Sequence, residues 1–285
     1  MRRNCISKCL FGIVVLALAT FITNAQIPSA SPSPSSLEKD FFKNILQDQK
    51  AIWTAPFHIQ RADSKWIVPG SIGLMALITT DRITGDEMAE SDRQVGLSRA
   101  ISQAGSTYTL GAVSGAFYFF GREKNNARAR ETGLLSAEAL VDSLLVSSAL
   151  KVVTQRARPM TGIERSEFFD GGNSFPSGHS TQAWAVATII ASEYKDHRSV
   201  QVAAYATATA VSVARFAGHK HYLSDVLAGS ALGYGIGKYV YHKRHRELLD
   251  SSDENGPVSA NWWPAITPEV NRRRHQYGVA LTWSF

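Results

Sequence analysis

From Trp66 to His245 the chain is a succession of apolar helical patterns whose packing faces are built from Ala, Gly and Ser. The stretch Gly111-Ala112-Val113-Ser114-Gly115-Ala116 is representative. Side chains this small let helix axes approach closely, so the pattern calls for helix-on-helix packing. Apolar periodicity predicts main helices at about 67–80, 94–120, 131–156, 178–195, 198–216 and 224–245. A shorter amphipathic helix is expected over Asp40–Ala51, and Trp53–Lys65, broken by Pro56, reads as irregular. The expected fold is therefore all-α, a compact bundle of about six main helices. Uninterrupted apolar runs mostly fall short of the ~20 residues that a membrane span needs. Glu138 and Asp142 also interrupt the 134–150 segment, and mean hydropathy is only −0.12. A soluble bundle is the first expectation, with association to a membrane surface as its alternative.

The ends of the chain differ from this middle. In residues 1–25, Arg2, Arg3 and Lys8 precede an apolar run from Leu10 to Ile22, and Thr23-Asn24-Ala25 supplies small residues before Gln26. That is the layout of a cleaved signal peptide, so the mature chain is expected to be exported, to the periplasm or cell envelope. Removal takes away three basic residues and no acidic ones, lowering the formal charge from +6 to +3. The basic balance then gives no reason to propose nucleic acid as a partner. Cys5 and Cys9, the only cysteines, leave with it, so neither a disulfide nor a cysteine nucleophile is expected. Residues 26–37 read as a Pro/Ser-rich linker, 38–248 as the helical domain, and 249–285 as a polar linker with a strand-like tail. In that tail Tyr277, Val279, Leu281, Trp283 and Phe285 alternate with smaller residues, which suggests a short β-hairpin. Trp262–Thr267 is its expected partner strand, across Arg272-Arg273-Arg274.

Three segments carry chemistry. Lys151 and Arg158, with Arg156 between them, fall at the end of one predicted helix. Their spacing of seven puts Lys151 and Arg158 on nearly the same face, and Pro159 stops the helix. Next, Pro176-Ser177-Gly178-His179 precedes an apolar run, which marks a helix N-terminus whose free N–H groups suit an anion. In the third segment Arg215 is followed by His219, His221 and Asp225. Asp225 lies four residues after His221, close enough to orient its imidazole; the spacing favours His221 over His219 for this role. Together the segments supply three cations and a helix N-terminus around a tetrahedral anion, with two imidazoles for attack and proton transfer. No carboxylate cluster is evident in the sequence, so neither a metal nor a cofactor is expected; the cations take the metal's place.

The ordered pattern Lys-x6-Arg-Pro, Pro-Ser-Gly-His and Arg-x5-His-x3-Asp resembles the type 2 phosphatidic acid phosphatase (PAP2) superfamily, which includes class A acid phosphatases, lipid phosphatases and vanadium haloperoxidases. The resemblance covers residues 151–225. It implies an all-α fold and a phosphohistidine formed on His221, with Asp225 orienting it. It makes His179 the general acid, and Lys151, Arg158, Ser177, Gly178 and Arg215 the phosphate-binding set. Ala214 stands where the family usually has Ser, and Leu223 where Pro is common. The reading that follows is an exported, metal-independent phosphatase acting on phosphomonoesters at mildly acidic pH. Its first alternative is a membrane-associated lipid phosphatase acting on phosphatidate-like or polyprenyl pyrophosphate substrates. A vanadate-dependent haloperoxidase comes further behind.

Overall fold

A computed structural model describes residues 34–58, 63–86, 91–159, 166–254, 265–271 and 276–282. The signal-peptide reading of 1–25, most of the Pro/Ser-rich linker and the Arg272–Arg274 turn lie outside these residues. Among the described residues there are eight α-helices: α1 (Pro34–Thr54), α2 (Ser64–Asp86), α3 (Asp92–Ser102), α4 (Thr107–Glu123), α5 (Ala127–Thr154), α6 (Gly178–Glu193), α7 (Arg198–Ala217) and α8 (Leu223–Glu254). The all-α expectation therefore holds. The chain falls into two compact units, Met1–Tyr241 and His242–Phe285. In the second, strands β1 (Ala265–Asn271) and β2 (Gln276–Thr282) pair antiparallel, Ala265 opposite Thr282. The partner strand thus begins three residues later than the Trp262 expected.

The first unit is organised around α6. Only His179 and Trp184 of its residues are not buried, which is the signature of a helix enclosed on all sides. Helices α5 and α7 pack along it, α4 along α5, α3 along α7 and α1 along α5. Val186 and Ile190 face one core with Leu110, Phe117 and Val211, while Ile189 faces a second with Leu135 and Val240. The small-residue stripe does what its composition implies at the α4–α5 crossing. A Cβ on Gly133 would lie 2.4 Å from the Tyr118 amide nitrogen, so only glycine lets the two backbones meet there.

Two boundaries differ from expectation. The predicted 94–120 helix is two helices, joined by a 3-10 turn at Gln103–Gly105. Ser106 caps α4 by accepting from the Thr109 amide, a job that a mid-helix serine does not do. The 131–156 helix instead starts at Ala127, capped by Asn126, and ends at Thr154 because Gln155 adopts a left-handed conformation (φ 45°). Lys151 is therefore helical while Arg156 and Arg158 are not, which corrects the single-face picture of that segment. The C-terminal end of α5 positions the site.

Candidate active site

After Gln155 the chain runs back along itself. Phe169 donates its N–H to Thr154 O (2.9 Å), Ala157 to Glu167 O (3.1 Å), and Ser174 to Arg156 O (2.9 Å). Gly172 permits this close approach, since a Cβ there would sit 2.1 Å from Arg156 O. The pairing carries Arg158 to Asn173, whose Oδ1 accepts from Arg158 Nε at 2.8 Å. It also delivers Ser174 to the catalytic centre, and Pro176-Ser177 to the start of α6.

The N-terminus of α6 faces Lys151. A Cβ on Gly178 would stand 3.7 Å from Lys151 Nζ, so glycine brings the backbone beside the ammonium without crowding. The first intrahelical bond here is Thr181 N–H to Ser177 O, and the preceding N–H groups project from the helix end. Ser177 is engaged elsewhere. Its amide donates to Asp225 O (3.0 Å) and its hydroxyl accepts from Ser180 (3.1 Å), so it braces the turn more than it faces solvent.

The third segment spans the end of α7 and the start of α8. Arg215 lies in the last turn of α7, and His219 makes the reversal with φ 52°. Helix α8 begins at Leu223, one residue before the expected start at about 224. His221 and Asp225 are both buried, with His221 Nδ1 3.6 Å from Asp225 Oδ2. That separation is longer than a hydrogen bond, and such pairs commonly tighten only with substrate bound. Ser174 Oγ lies between them, 3.4 Å from His221 Nδ1 and donating to Asp225 Oδ2 at 2.5 Å. The Tyr222 amide donates to the same oxygen at 2.9 Å.

The other Asp225 oxygen receives Arg156. This arginine is fully buried, donating Nη1–H to Asp225 Oδ1 (2.5 Å) and to Ser224 Oγ (2.7 Å). Its guanidinium also lies over the rings of Phe168 and Tyr222, 4.8 and 4.5 Å from their centroids. Sequence reasoning placed Arg156 on a helix end and gave Ser174 no role. The only hint in the sequence was the position of Ser174 inside the Asn173–Ser180 turn.

The charges of Lys151, Arg158, His179, Arg215 and His221 act on one another. Burial lowers Lys151 to about 8, with Arg158 and Arg215 pushing the same way. Burial and then Arg158 lower Arg215 to about 10, and Arg215 Nε is buried without a protein hydrogen-bond partner. Burial, then Arg215, His221, Lys151 and Arg158, hold His179 down at about 3. His221 is lowered to about 4, burial outweighing the pull of Asp225. Burial opposes ionisation of Asp225, yet His221, Arg156 and Ser174 together hold it below the usual carboxylate range. The imidazoles thus do not sit near ~6.5, the value expected before their surroundings were known.

Both histidines bind protons less tightly folded than unfolded, so their contribution to stability is complete above pH ~6.5 and is lost as pH falls towards the folded values of about 4 and about 3. The urea midpoint should therefore drop between pH 6.5 and 4, and His179→Gln should lessen that drop. A wild-type midpoint that stays level over this range would contradict the half-buried, cation-facing placement of His179.

The sequence reading saw no carboxylate cluster, but the fold forms one. Asp48 on α1 and Glu138 and Asp142 on α5 are buried, with ligand atoms within 4.8 Å of one another. Asp142 Oδ1 accepts from Gln49 at 2.8 Å. The group lies about 13 Å up α5 from Lys151, nine residues at the helical rise, and is separate from the cation cluster.

Cations, a helix N-terminus and two imidazoles are the kinds of group that a phosphoryl-transfer site uses. Residues 132–248 match the PAP2 superfamily, and that stretch encloses Lys151, Arg158, His179, Arg215, His221 and Asp225; the chain carries a PAP2 superfamily domain. Among curated proteins it is 39% identical over 70 residues to a lipid A 1-phosphatase of Porphyromonas gingivalis, covering 24% of this chain and 16% of that one. It is 29% identical over 152 residues to a PA-phosphatase related-family protein of Dictyostelium discoideum, covering 47% of this chain and 55% of the relative. The chain thus spans about half, or much less, of the length of these relatives. Among solved structures it is similar to a transmembrane PAP2 type phosphatidylglycerolphosphate phosphatase from Bacillus subtilis, at 22% identity and a TM-score of 0.44, over 75% of this chain and 96% of that one. It is also similar to LpxE of Aquifex aeolicus, at 16% identity and a TM-score of 0.42, over 57% and 93%.

Proposed function

We propose that this chain hydrolyses the phosphate ester of a lipid or similar amphiphile at the cell envelope, through a phosphohistidine on His221. The observation that carries the chemistry is the half-burial of Lys151, Arg158 and Arg215, each losing proton affinity through desolvation, with Arg158 also lowering both Lys151 and Arg215. Such a cluster is compensated by a bound anion.

The steps follow from the groups present. The phosphate sits among the three cations and the N-terminus of α6. Its negative charge opposes the field that keeps His179 neutral, so His179 gains a proton as the substrate binds. Neutral His221 Nε2 attacks phosphorus, the ester P–O bond breaks, and His179 gives its proton to the departing alkoxide oxygen. His179, now neutral, takes a proton from water; the hydroxide cleaves the phosphorus–nitrogen bond and inorganic phosphate leaves. Asp225 faces Nδ1 throughout, which directs Nε2 to the substrate.

The lipid reading draws more support than the soluble-ester reading. One relative's name specifies a lipid phosphate, over a stretch of 70 residues. Exposed apolar side chains also occur close in the chain to these groups: Val152 and Val153, which follow Lys151, are 71% and 64% exposed, and Phe169, bonded to Thr154 O, is 77% exposed. Exposed apolar surface of this kind suits contact with an acyl chain. Helix α5 is the one described helix long and apolar enough to cross a membrane, and over half of that window is buried in the bundle, as in a core helix.

A substrate panel tests this. Dispersed phosphatidate and a lipid A-type phosphate should give kcat/KM at least ~10-fold above p-nitrophenyl phosphate, and Phe169→Ser should narrow the gap. Equal kcat/KM on soluble esters would return the function to an acid phosphatase.

A further inference from the structure

One buried acidic residue joined to the catalytic network belongs to a helix that no motif reaches. Asp81, on α2, is 1% exposed. Its Oδ2 accepts from Arg156 Nη2 at 2.8 Å, and its Oδ1 accepts from the Ser224 amide at 3.1 Å. The Ser224 hydroxyl donates to Asp81 as well. Asp81 thus closes the first turn of α8 from a helix 143 residues upstream, and grips the guanidinium that holds Asp225. The result is a buried line, Asp81–Arg156–Asp225–His221, ending at the imidazole.

We propose that Asp81 is a positioning residue for phosphoryl transfer, holding Arg156 so that the Asp225 carboxylate stays beneath His221 Nδ1. This rests on the reading of His221 as nucleophile. The fork geometry supports it, since Arg156 commits Nη2 to Asp81 and Nη1 to Asp225 and Ser224, which leaves the guanidinium a single orientation. The charge balance supports it too. Two carboxylates share one guanidinium, so net negative charge remains in the network that ends at His221, while Arg215 and Lys151 act on His221 with positive charge. Without the Asp81 charge, Arg156 bears wholly on Asp225. The carboxylate is then drawn from an imidazole already 3.6 Å away, and its field at Nδ1 is cancelled.

The test uses the purified full chain with Asp81→Asn, Asp81→Glu and His221→Ala, assayed on dispersed phosphatidate and p-nitrophenyl phosphate from pH 3 to 8, with thermal midpoints recorded. Asp81→Asn is expected to lower kcat about 10- to 100-fold with KM within about twofold. Its acid limb of kcat/KM should move to lower pH, because His221 loses negative charge nearby. Asp81→Glu keeps the charge but shifts Arg156, and should recover part of kcat. A purely structural Asp81 would lower the thermal midpoint and leave kcat per folded molecule and the pH limb unmoved, which would overturn the proposal. Should Asp81→Asn not fold, wild-type kcat in Asp81→Glu would overturn it instead. Activity retained in His221→Ala would sink the nucleophile reading itself, a separate failure.

Discussion

His221→Ala is expected to reduce kcat by about 10³-fold or more while phosphate-ester binding changes little. The imidazole is buried, and the proposed phosphate-binding groups are Lys151, Arg158, Arg215 and the start of α6 rather than His221. Substrate should therefore still bind, and inhibition by orthovanadate should persist within a few-fold of wild type. The step that is lost is formation of the phosphorus–nitrogen bond that the proposed mechanism places on His221. His179 is the other imidazole of the proposed site, but the cations hold its proton affinity down, and the scheme needs it to serve the leaving oxygen. A variant that kept even a tenth of the wild-type kcat would show that attack comes from elsewhere.

The largest effect on stability is expected at Arg156. Arg156→Met leaves Asp81 and Asp225 buried, 1% and 0% exposed, without the guanidinium that lies between them. Breaking a buried ion pair by removing one partner costs about 3–5 kcal/mol, because the remaining charges are neither solvated nor paired. The flat stacking over Phe168 and Tyr222 is lost as well. Urea unfolding should show the loss directly. Arg156→Lys keeps the charge but lacks the fork, so its stability should fall between wild type and Arg156→Met. A methionine variant within about 1 kcal/mol of wild type would mean that this network contributes little to stability.

Much of the architecture was readable from residue type and order. Small residues at helical spacing signalled close helix packing, and the motif segments named chemical groups that converge wherever the bundle brings them together. Local breaks were harder to read. Ser102-Gln103-Ala104-Gly105-Ser106 looks like more of the same small-residue helix, and only the capping bond from Thr109 reveals a boundary. Gln155 carries no sign of a left-handed conformation, so Lys151 and Arg158 read as one face when a turn separates them. Arg156 read only as a helix-end residue because its partners, Asp81 and Asp225, lie 75 residues before and 69 residues after it. The depressed histidines were illegible for the same reason: burial and three distant cations set their proton affinity, and no local pattern encodes either. The carboxylates of Asp48, Glu138 and Asp142 meet only through the packing of α1 on α5.

The most direct measurement of the central claim is acid-free quench of a single turnover with substrate carrying radiolabelled phosphate, followed by mapping of the labelled peptide. The account predicts an alkali-stable, acid-labile phosphoryl group on the peptide containing His221, absent from His221→Ala. Turnover with no protein-bound label under any quench, or label on another residue with His221→Ala still active, would contradict it.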